Sequence, residues 1–209
     1  ALYAAENGHK VTLFEKTGEL GGLLNINQYC DFKWPVSKYN AWLIKQTLNN
    51  EHIDVRLNTE ATRELLDAGN YDEIFACIGS EPVKPPIPGI DGENVMMAPS
   101  VYGNEEEVGQ NVVIIGGGDV GVETGLHLCR KGRNVFVIEA REDLMLDTTP
   151  IHYRVRYKDE WNKTENFRYA CGAVCEKIKS DTVIYRDADG EHMVPADTVI
   201  CSVGMRAKE

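Results

Sequence analysis

A chain of 209 residues has room for one large or two small domains, and 43% hydrophobic with 26% charged residues is the make-up of a soluble globular protein. The net charge of −11 argues against a nucleic-acid binder, which depends on clustered Lys and Arg. The longest apolar runs, such as Asn111–Ile115, are far too short to span a bilayer, and Ala1-Leu2-Tyr3-Ala4-Ala5 lacks the basic region of a secretory signal. Cys30, Cys77, Cys129, Cys171, Cys175 and Cys201 form no CxxC pair. They are expected as small buried hydrophobes of a reducing cytosol. Cys77 and Cys201 fall in strand-like runs, and Cys129 in a helical pattern. Cys171 and Cys175, four apart in a strand-like segment, leave a disulfide or metal pair open, with no third or fourth ligand nearby.

In chain order, residues 1–7 read as a helix end stopped by Gly8, followed by a strand at Val11–Glu15 and a tight glycine loop at Gly18–Gly22. Trp42, Ile44 and Leu48 give helical spacing to Lys38–Asn50, and His52–Leu57 is a strand. Thr62–Ala68 is a short helix or turn, and Tyr71–Ile78 a buried strand. Pro82, Pro85, Pro86, Pro88 and Gly89 exclude helix and central strand, so they mark a linker, with a domain boundary between about Ile90 and Gln110. A second unit follows: strand Asn111–Ile115, helix Asp119–Lys131 and strand Asn134–Glu139. A possible helix at Tyr153–Trp161 leads to strands within Phe167–Tyr185. A hairpin turn at Asp187–Gly190 and a closing strand at Asp197–Val203 complete the unit. Alternating strands and helices imply an α/β fold of two Rossmann-like doubly wound units, residues 1–105 and 106–209.

The chain also repeats itself. Asn7-Gly8-His9-Lys10-Val11-Thr12-Leu13-Phe14-Glu15 matches Lys131-Gly132-Arg133-Asn134-Val135-Phe136-Val137-Ile138-Glu139, with Glu139 124 positions after Glu15. Asp72–Gly79 matches Asp197–Gly204 at an offset of 125. Two features at nearly one period point to a duplicated α/β unit. The glycine-rich stretch at 116–121 then has its counterpart before Ala1. On this reading the chain is a fragment that starts within its first helix, without the opening strand and glycine loop of its first unit.

Gly116-Gly117-Gly118-Asp119-Val120-Gly121 lies between an apolar strand and a helix, the context in which GxGxxG carries meaning. Gly116 allows the tight turn, Gly118 the approach of a pyrophosphate, and Gly121 close helix–strand packing, which Gly125 extends. The helix N-terminus offers free N–H groups and partial positive charge to phosphates. Glu139, 18 residues after Gly121, stands where an acid accepts both ribose hydroxyls and repels a 2′-phosphate, favouring NADH over NADPH. Arg141 is the counter-evidence. Glu15 is the matching acid of the first unit, or a solvated strand-end charge. Gly18, Gly21 and Gly22 suit a backbone passing close to a second cofactor, or a plain surface turn.

The sequence resembles the two-dinucleotide-binding-domain flavoproteins of the disulfide-reductase-like FAD/NAD fold. The resemblance rests on Glu15 with Gly18-Glu19-Leu20-Gly21-Gly22, then Ile74–Gly79-Ser80-Glu81-Pro82 with Ile87-Pro88-Gly89. Gly116–Gly121 with Glu123 and Glu139, and Asp197–Gly204-Met205-Arg206, continue the family's order over nearly the whole chain. More narrowly, the chain is similar to the C-terminal part of the old-yellow-enzyme-like NADH:flavin oxidoreductases, the group of 2-enoate and 2,4-dienoyl-CoA reductases. The resemblance implies an NAD domain inserted into an FAD domain, with Glu15 on the FAD ribose and Gly21, Gly22 and Leu23 near its pyrophosphate or flavin. It implies that Glu123 faces the nicotinamide end, an exposed helix glutamate being the alternative. Lys16, Gly79, Ala140 and Gly204 join the cofactor-binding set. NADH would pass hydride to FAD, and a separate FMN-barrel-like domain of the parent protein would reduce an enoate-like substrate. No residue here is required as a catalytic acid or base, and no metal is implied. The family's first glycine loop and C-terminal Gly-Asp motif are absent, and Cys77-Ile78-Gly79 replaces Ala-Thr-Gly. Without CxxC the dithiol nucleophiles are also missing. The rival readings are a non-catalytic nucleotide sensor and an NADH oxidase or ferredoxin-type reductase of the same fold.

Overall fold

The computed structural model describes residues 1–148 and 151–208. They form two compact units, Ala1–Gly79 and Ser80–Glu209.

In the first unit, helix α1 (Leu2–Glu6) ends at Gly8, whose φ of 86° lets the chain turn into β1 (Val11–Phe14). A 3-10 helix spans Gly22–Tyr29, and α2 (Trp34–Leu48) carries Pro35 in its first turn, where a missing N–H costs nothing. β2 (Ile53–Arg56) pairs parallel with β1. Helix α3 (Arg63–Gly69) is capped by the Thr62 hydroxyl, which accepts from Leu65 N–H at 3.3 Å, and stops at Asn70 in the left-handed region.

The expected buried strand at Tyr71–Ile78 does not form. Residues 73–79 carry no regular structure, and Ile74, Phe75 and Ile78 are 56%, 82% and 54% exposed. A buried parallel strand needs a ladder partner and apolar cover on both faces. The only ladder in this unit among the described residues joins β1 to β2, so the apolar run has neither. Cys77, expected inside, is exposed with it.

The second unit is built on a parallel sheet in the order β4-β11-β5-β6-β7: β4 (Val95–Met97), β11 (Thr198–Cys201), β5 (Asn111–Ile115), β6 (Asn134–Glu139) and β7 (Phe167–Cys171). All four junctions are parallel. Every residue of β11 is buried, as suits a strand paired on both edges. Helix α5 (Asp119–Arg130) lies close on this sheet because Gly125 has no side chain; a Cβ there would stand 2.7 Å from Phe167 and 3.3 Å from Ile114. Helix α6 (Ile151–Lys163) precedes β7. β8 (Val174–Ile178), β9 (Thr182–Asp187) and β10 (Gly190–Pro195) form an antiparallel meander, its β9–β10 turn closing on Gly190 at φ 124°. Cys175, Ile178, Val183 and Tyr185 from the meander pack with Val113, Ile115, Ile138 and Val199 of the main sheet in one core.

The units divide at Gly79/Ser80, earlier than the boundary expected at 105/106. β3 (Ser80–Pro82) pairs antiparallel with β12 (Met205–Ala207), and β4 adds to the main sheet. The proline stretch between them is held by hydrogen bonds from Val83 N–H to Gly204 O (2.9 Å) and from Ile178 N–H to Pro88 O (2.8 Å). These ladder bonds tie residues 80–97 to the second unit.

None of the six cysteines is in a disulfide among the described residues. Cys171 and Cys175 do not share a strand: Gly172, at φ 62°, turns the chain between β7 and β8. No group of three metal-ligating side chains occurs among the described residues. Burial pushes the thiol of Cys129 up to about 12, and those of Cys171 and Cys175 up to about 11. Only the thiolate is nucleophilic. Maleimide at pH 7.5 is therefore expected to modify Cys77 first and Cys129 and Cys175 on the order of a hundredfold more slowly, from access and thiolate fraction together. Peptide mass spectrometry of a labelling time course checks this; labelling of Cys129 or Cys175 alongside Cys77 would contradict the burial described.

Candidate nucleotide-binding site

β5 ends at Ile115, and the chain turns through Gly116 at φ 103° into Gly118, the N-cap of α5. The glycines do different work. A Cβ on Gly116 would press on the backbone of Ser202 and Val203, and one on Gly121 on the carbonyl oxygen of Gly116. A Cβ on Gly117 would meet Leu144 and Glu139. These three positions are closed by protein. Gly118 is open: nothing lies within 4 Å of where its Cβ would stand. Its φ of −72° is one any residue adopts, so open space rather than backbone strain distinguishes it. Gly121 therefore serves the loop itself, against Gly116, and Gly125 is the residue that seats the helix on the strands.

Gly118 offers α5 no side-chain cap, and the first N–H bonded back into the loop is that of Val122, to Gly118 O at 3.0 Å. The N–H groups of Asp119, Val120 and Gly121 precede it and have no intrahelical acceptor. They converge at the positive end of the helix, an arrangement that accepts a phosphate.

Glu139, at the end of β6, anchors this loop. Its Oε2 accepts from Gly117 N–H at 2.5 Å and its Oε1 from Arg141 N–H at 2.8 Å. A carboxylate has about four lone-pair positions, so two remain for hydroxyl groups. The Arg141 guanidinium is paired with Asp147, which raises its already high pKa. Met145 N–H donates to Gly117 O at 2.8 Å, and the Thr148 hydroxyl donates to Asp119, so residues 144–148 fasten to the glycine turn. Asp143 is desolvated, yet bonds from Leu144 N–H, Lys158 and Arg154 hold its carboxyl below the usual range. Gly116, Gly117, Gly118, Asp119, Val120, Glu139, Ala140, Arg141 and Gly204 line one cleft of about 640 Å³ at the C-terminal ends of β5, β6 and β11. In open α/β sheets this is the end where ligands bind. The open position at Gly118, the N–H groups at the start of α5 and the strand-end carboxylate of Glu139 all fit a dinucleotide.

A family model described as pyridine nucleotide-disulphide oxidoreductase matches residues 1–209. The chain belongs to this family. It is 32% identical over 206 residues to a bilirubin reductase of Mediterraneibacter gnavus, covering 99% of this chain and 32% of that one. It is 30% identical over 205 residues to a cinnamate reductase of Clostridium sporogenes, covering 98% and 30%. A 2-naphthoyl-CoA reductase complex superposes with a TM-score of 0.87 at 26% identity, over 97% of this chain and 30% of that one. The chain thus spans about a third of the length of these curated relatives.

Membership of the pyridine nucleotide-disulphide oxidoreductases implies FAD and a pyridine nucleotide as cofactors. Within this member, Glu123 does not line the cleft. It is buried on α5, where Tyr157 donates to its Oε1 at 3.0 Å and Tyr153 donates to the same oxygen. Burial and the neighbouring carboxylate push the Tyr153 phenol up to about 12 and raise that of Tyr157, so both stay protonated donors. The resemblance implies that Glu123 faces the nicotinamide end; here it is not the exposed helix glutamate of the alternative reading, being 4% exposed and held by Tyr153 and Tyr157 of α6. Nothing in residues 151–157 beyond weak helical spacing announces that cover.

In the first unit, Glu15 closes β1 and its Oε1 accepts from the N–H and hydroxyl of Thr17, each at 2.8 Å. Lys16 is exposed beside it. Gly21, at φ 116°, starts the 3-10 helix against Asn25 and Asn40, which bond each other at 2.7 Å. Gly22 is open, Leu23 exposed, and Gly79 ends the unit at φ 78° with open space about it. Asn25 and Asn40, absent from the sequence-level set, are what hold the Gly21-Gly22 corner. Among the described residues no helix is long and apolar enough to cross a membrane.

Proposed function

We propose that this chain is the NADH-binding electron-transfer module of an FAD-dependent oxidoreductase whose substrate is enoate-like. The observation that carries the nucleotide assignment is the open position at Gly118, beneath three unpaired helix N–H groups and beside Glu139. Asp119, Val120 and Gly121 N–H groups would hold the pyrophosphate, and the free lone pairs of Glu139 the adenosine ribose. Ile87, Val174 and Met205 supply apolar walls to the cleft. The bound pair supplies hydride transfer, from nicotinamide to flavin; the protein supplies position and electrostatics. The enoate-like substrate is supported by the likeness to a cinnamate reductase, and its reduction belongs to parts of the parent protein outside this chain.

Glu139 also favours NADH over NADPH. A 2′-phosphate would meet its carboxylate, and Arg141 is already paired to Asp147. Titration calorimetry on the purified chain is expected to give NADH at least about tenfold tighter binding, the equivalent of about 1.4 kcal/mol. Equal or tighter NADPH binding overturns the preference; binding of neither overturns the nucleotide assignment.

A further inference from the structure

We infer that Arg154 of α6 is a positioning residue for the glycine turn, aiming the Gly118 N–H at the cleft through two peptide groups bonded in series. The anion this N–H serves is the pyrophosphate of the proposed nucleotide, and to that extent the inference rests on that reading. The geometry is that of hydrogen bonds within the second unit.

The series begins at the Arg154 guanidinium, whose Nε donates to the Leu144 carbonyl oxygen at 2.8 Å. The same peptide group ends in the Met145 N–H, which donates to the Gly117 carbonyl oxygen at 2.8 Å. That second peptide group ends in the Gly118 N–H, which has no acceptor among the described residues. In a trans peptide the C=O and N–H point in opposite directions. Each carbonyl therefore faces back toward Arg154, and the Gly118 N–H points away from Met145. Two peptide dipoles are thus aligned with a cation behind them and a bare donor in front. Hydrogen bonds in series polarise one another, so the guanidinium strengthens the Gly118 N–H as a donor to an anion.

The grip on Leu144 is double. Its N–H donates to Asp143 Oδ1 at 2.8 Å, and Asp143 Oδ2 accepts from Arg154 Nη2. Lys158 bonds the same Asp143 oxygen at 3.3 Å and makes no bond to the Leu144 carbonyl. Met145 supplies an independent observation. It is 1% exposed and held at φ 54°, a left-handed conformation that a bulky side chain adopts where its surroundings impose it. Arg154 and Gly117 impose it, one on each side of the Leu144–Met145 peptide. Helix α6 is itself fixed on α5 apart from this contact, by Tyr153 and Tyr157 at Glu123.

Amide spectra of the ligand-free, isotopically labelled chain test the series, and calorimetry with NADH tests its effect. Arg154→Met is expected to move the Met145 and Gly118 amide resonances and leave those of Val122–Leu128 in place. It should raise the Kd for NADH about tenfold, the loss typical of a hydrogen bond to a charged group. Lys158→Met removes a cation from the same Asp143 oxygen and keeps the Leu144 carbonyl bonded. It should leave both amides in place and the Kd within about twofold. Should Arg154→Met not fold, Arg154→Lys keeps the charge without the fork and must move the same two amides. Unmoved Met145 and Gly118 amides, movement spread through α5, an unchanged Kd in Arg154→Met, or an equal rise in Lys158→Met each overturn the proposal. A natural chain that binds no NADH overturns the nucleotide reading alone, and the two amides then decide the role of Arg154 by themselves.

Discussion

Gly121→Ala is expected to unsettle the second unit itself, lowering its Tm by about 10 °C, and to abolish nucleotide binding with it. The added methyl meets the carbonyl oxygen of Gly116, in a turn already so tight that a Cβ on Gly116 itself would stand 2.4 Å from the Ser202 carbonyl oxygen. Overpacking against rigid backbone costs about 3 kcal/mol, and each kcal/mol moves the Tm of a unit this size by roughly 2–4 °C. Differential scanning calorimetry measures the shift. A Tm within about 2 °C of the natural chain would show that the glycine turn is looser than described.

Gly118→Ala, three residues earlier, should do the opposite: leave the fold nearly unchanged and remove binding. As an N-cap, alanine is poorer than glycine by about 0.5–1 kcal/mol, but it restricts the unfolded chain by a similar amount, so the two effects nearly cancel. The backbone at φ −72° accepts it and no protein atom opposes it. The methyl instead occupies the space from which a pyrophosphate would reach the N–H groups of Asp119, Val120 and Gly121. At NADH a hundredfold above Kd the natural chain gains about 2.7 kcal/mol. The mutant should lose most of this gain. Thermal shifts with and without NADH decide: a mutant that keeps the full shift assigns Gly118 to a structural turn.

Most of the second unit was legible in the sequence because its signals are local and reinforce each other. Val112–Ile115, the glycine turn, the helix and Glu139 each predict the next, and the sheet satisfies all of them. Residues 71–78 misled for the same reason in reverse. Their apolar run states what the segment needs, and burial depends on partners that a local pattern cannot supply. The domain boundary was misplaced because prolines read as a linker, whereas the ladder from Ser80–Pro82 to Met205–Ala207 joins residues more than a hundred positions apart. Glu123 was hidden from any spacing argument, since Tyr153 and Tyr157 come from another helix 30 and 34 residues away. The division of labour among the glycines, with Gly118 open and Gly116 and Gly121 closed, became visible only once the loop had a shape.

Backbone amide mapping of NADH on the isotopically labelled chain tests the central claim most directly. A phosphate at the start of α5 must move the amide resonances of Gly118, Asp119, Val120 and Gly121 most, with Glu139 and Arg141 following through the ribose. Addition of NADH is expected to produce that set, saturating with one nucleotide per second unit and leaving β9 and β10 nearly still. Large shifts elsewhere with the 118–121 amides unmoved, or no shifts at millimolar NADH, would contradict the assignment of this loop as the pyrophosphate site.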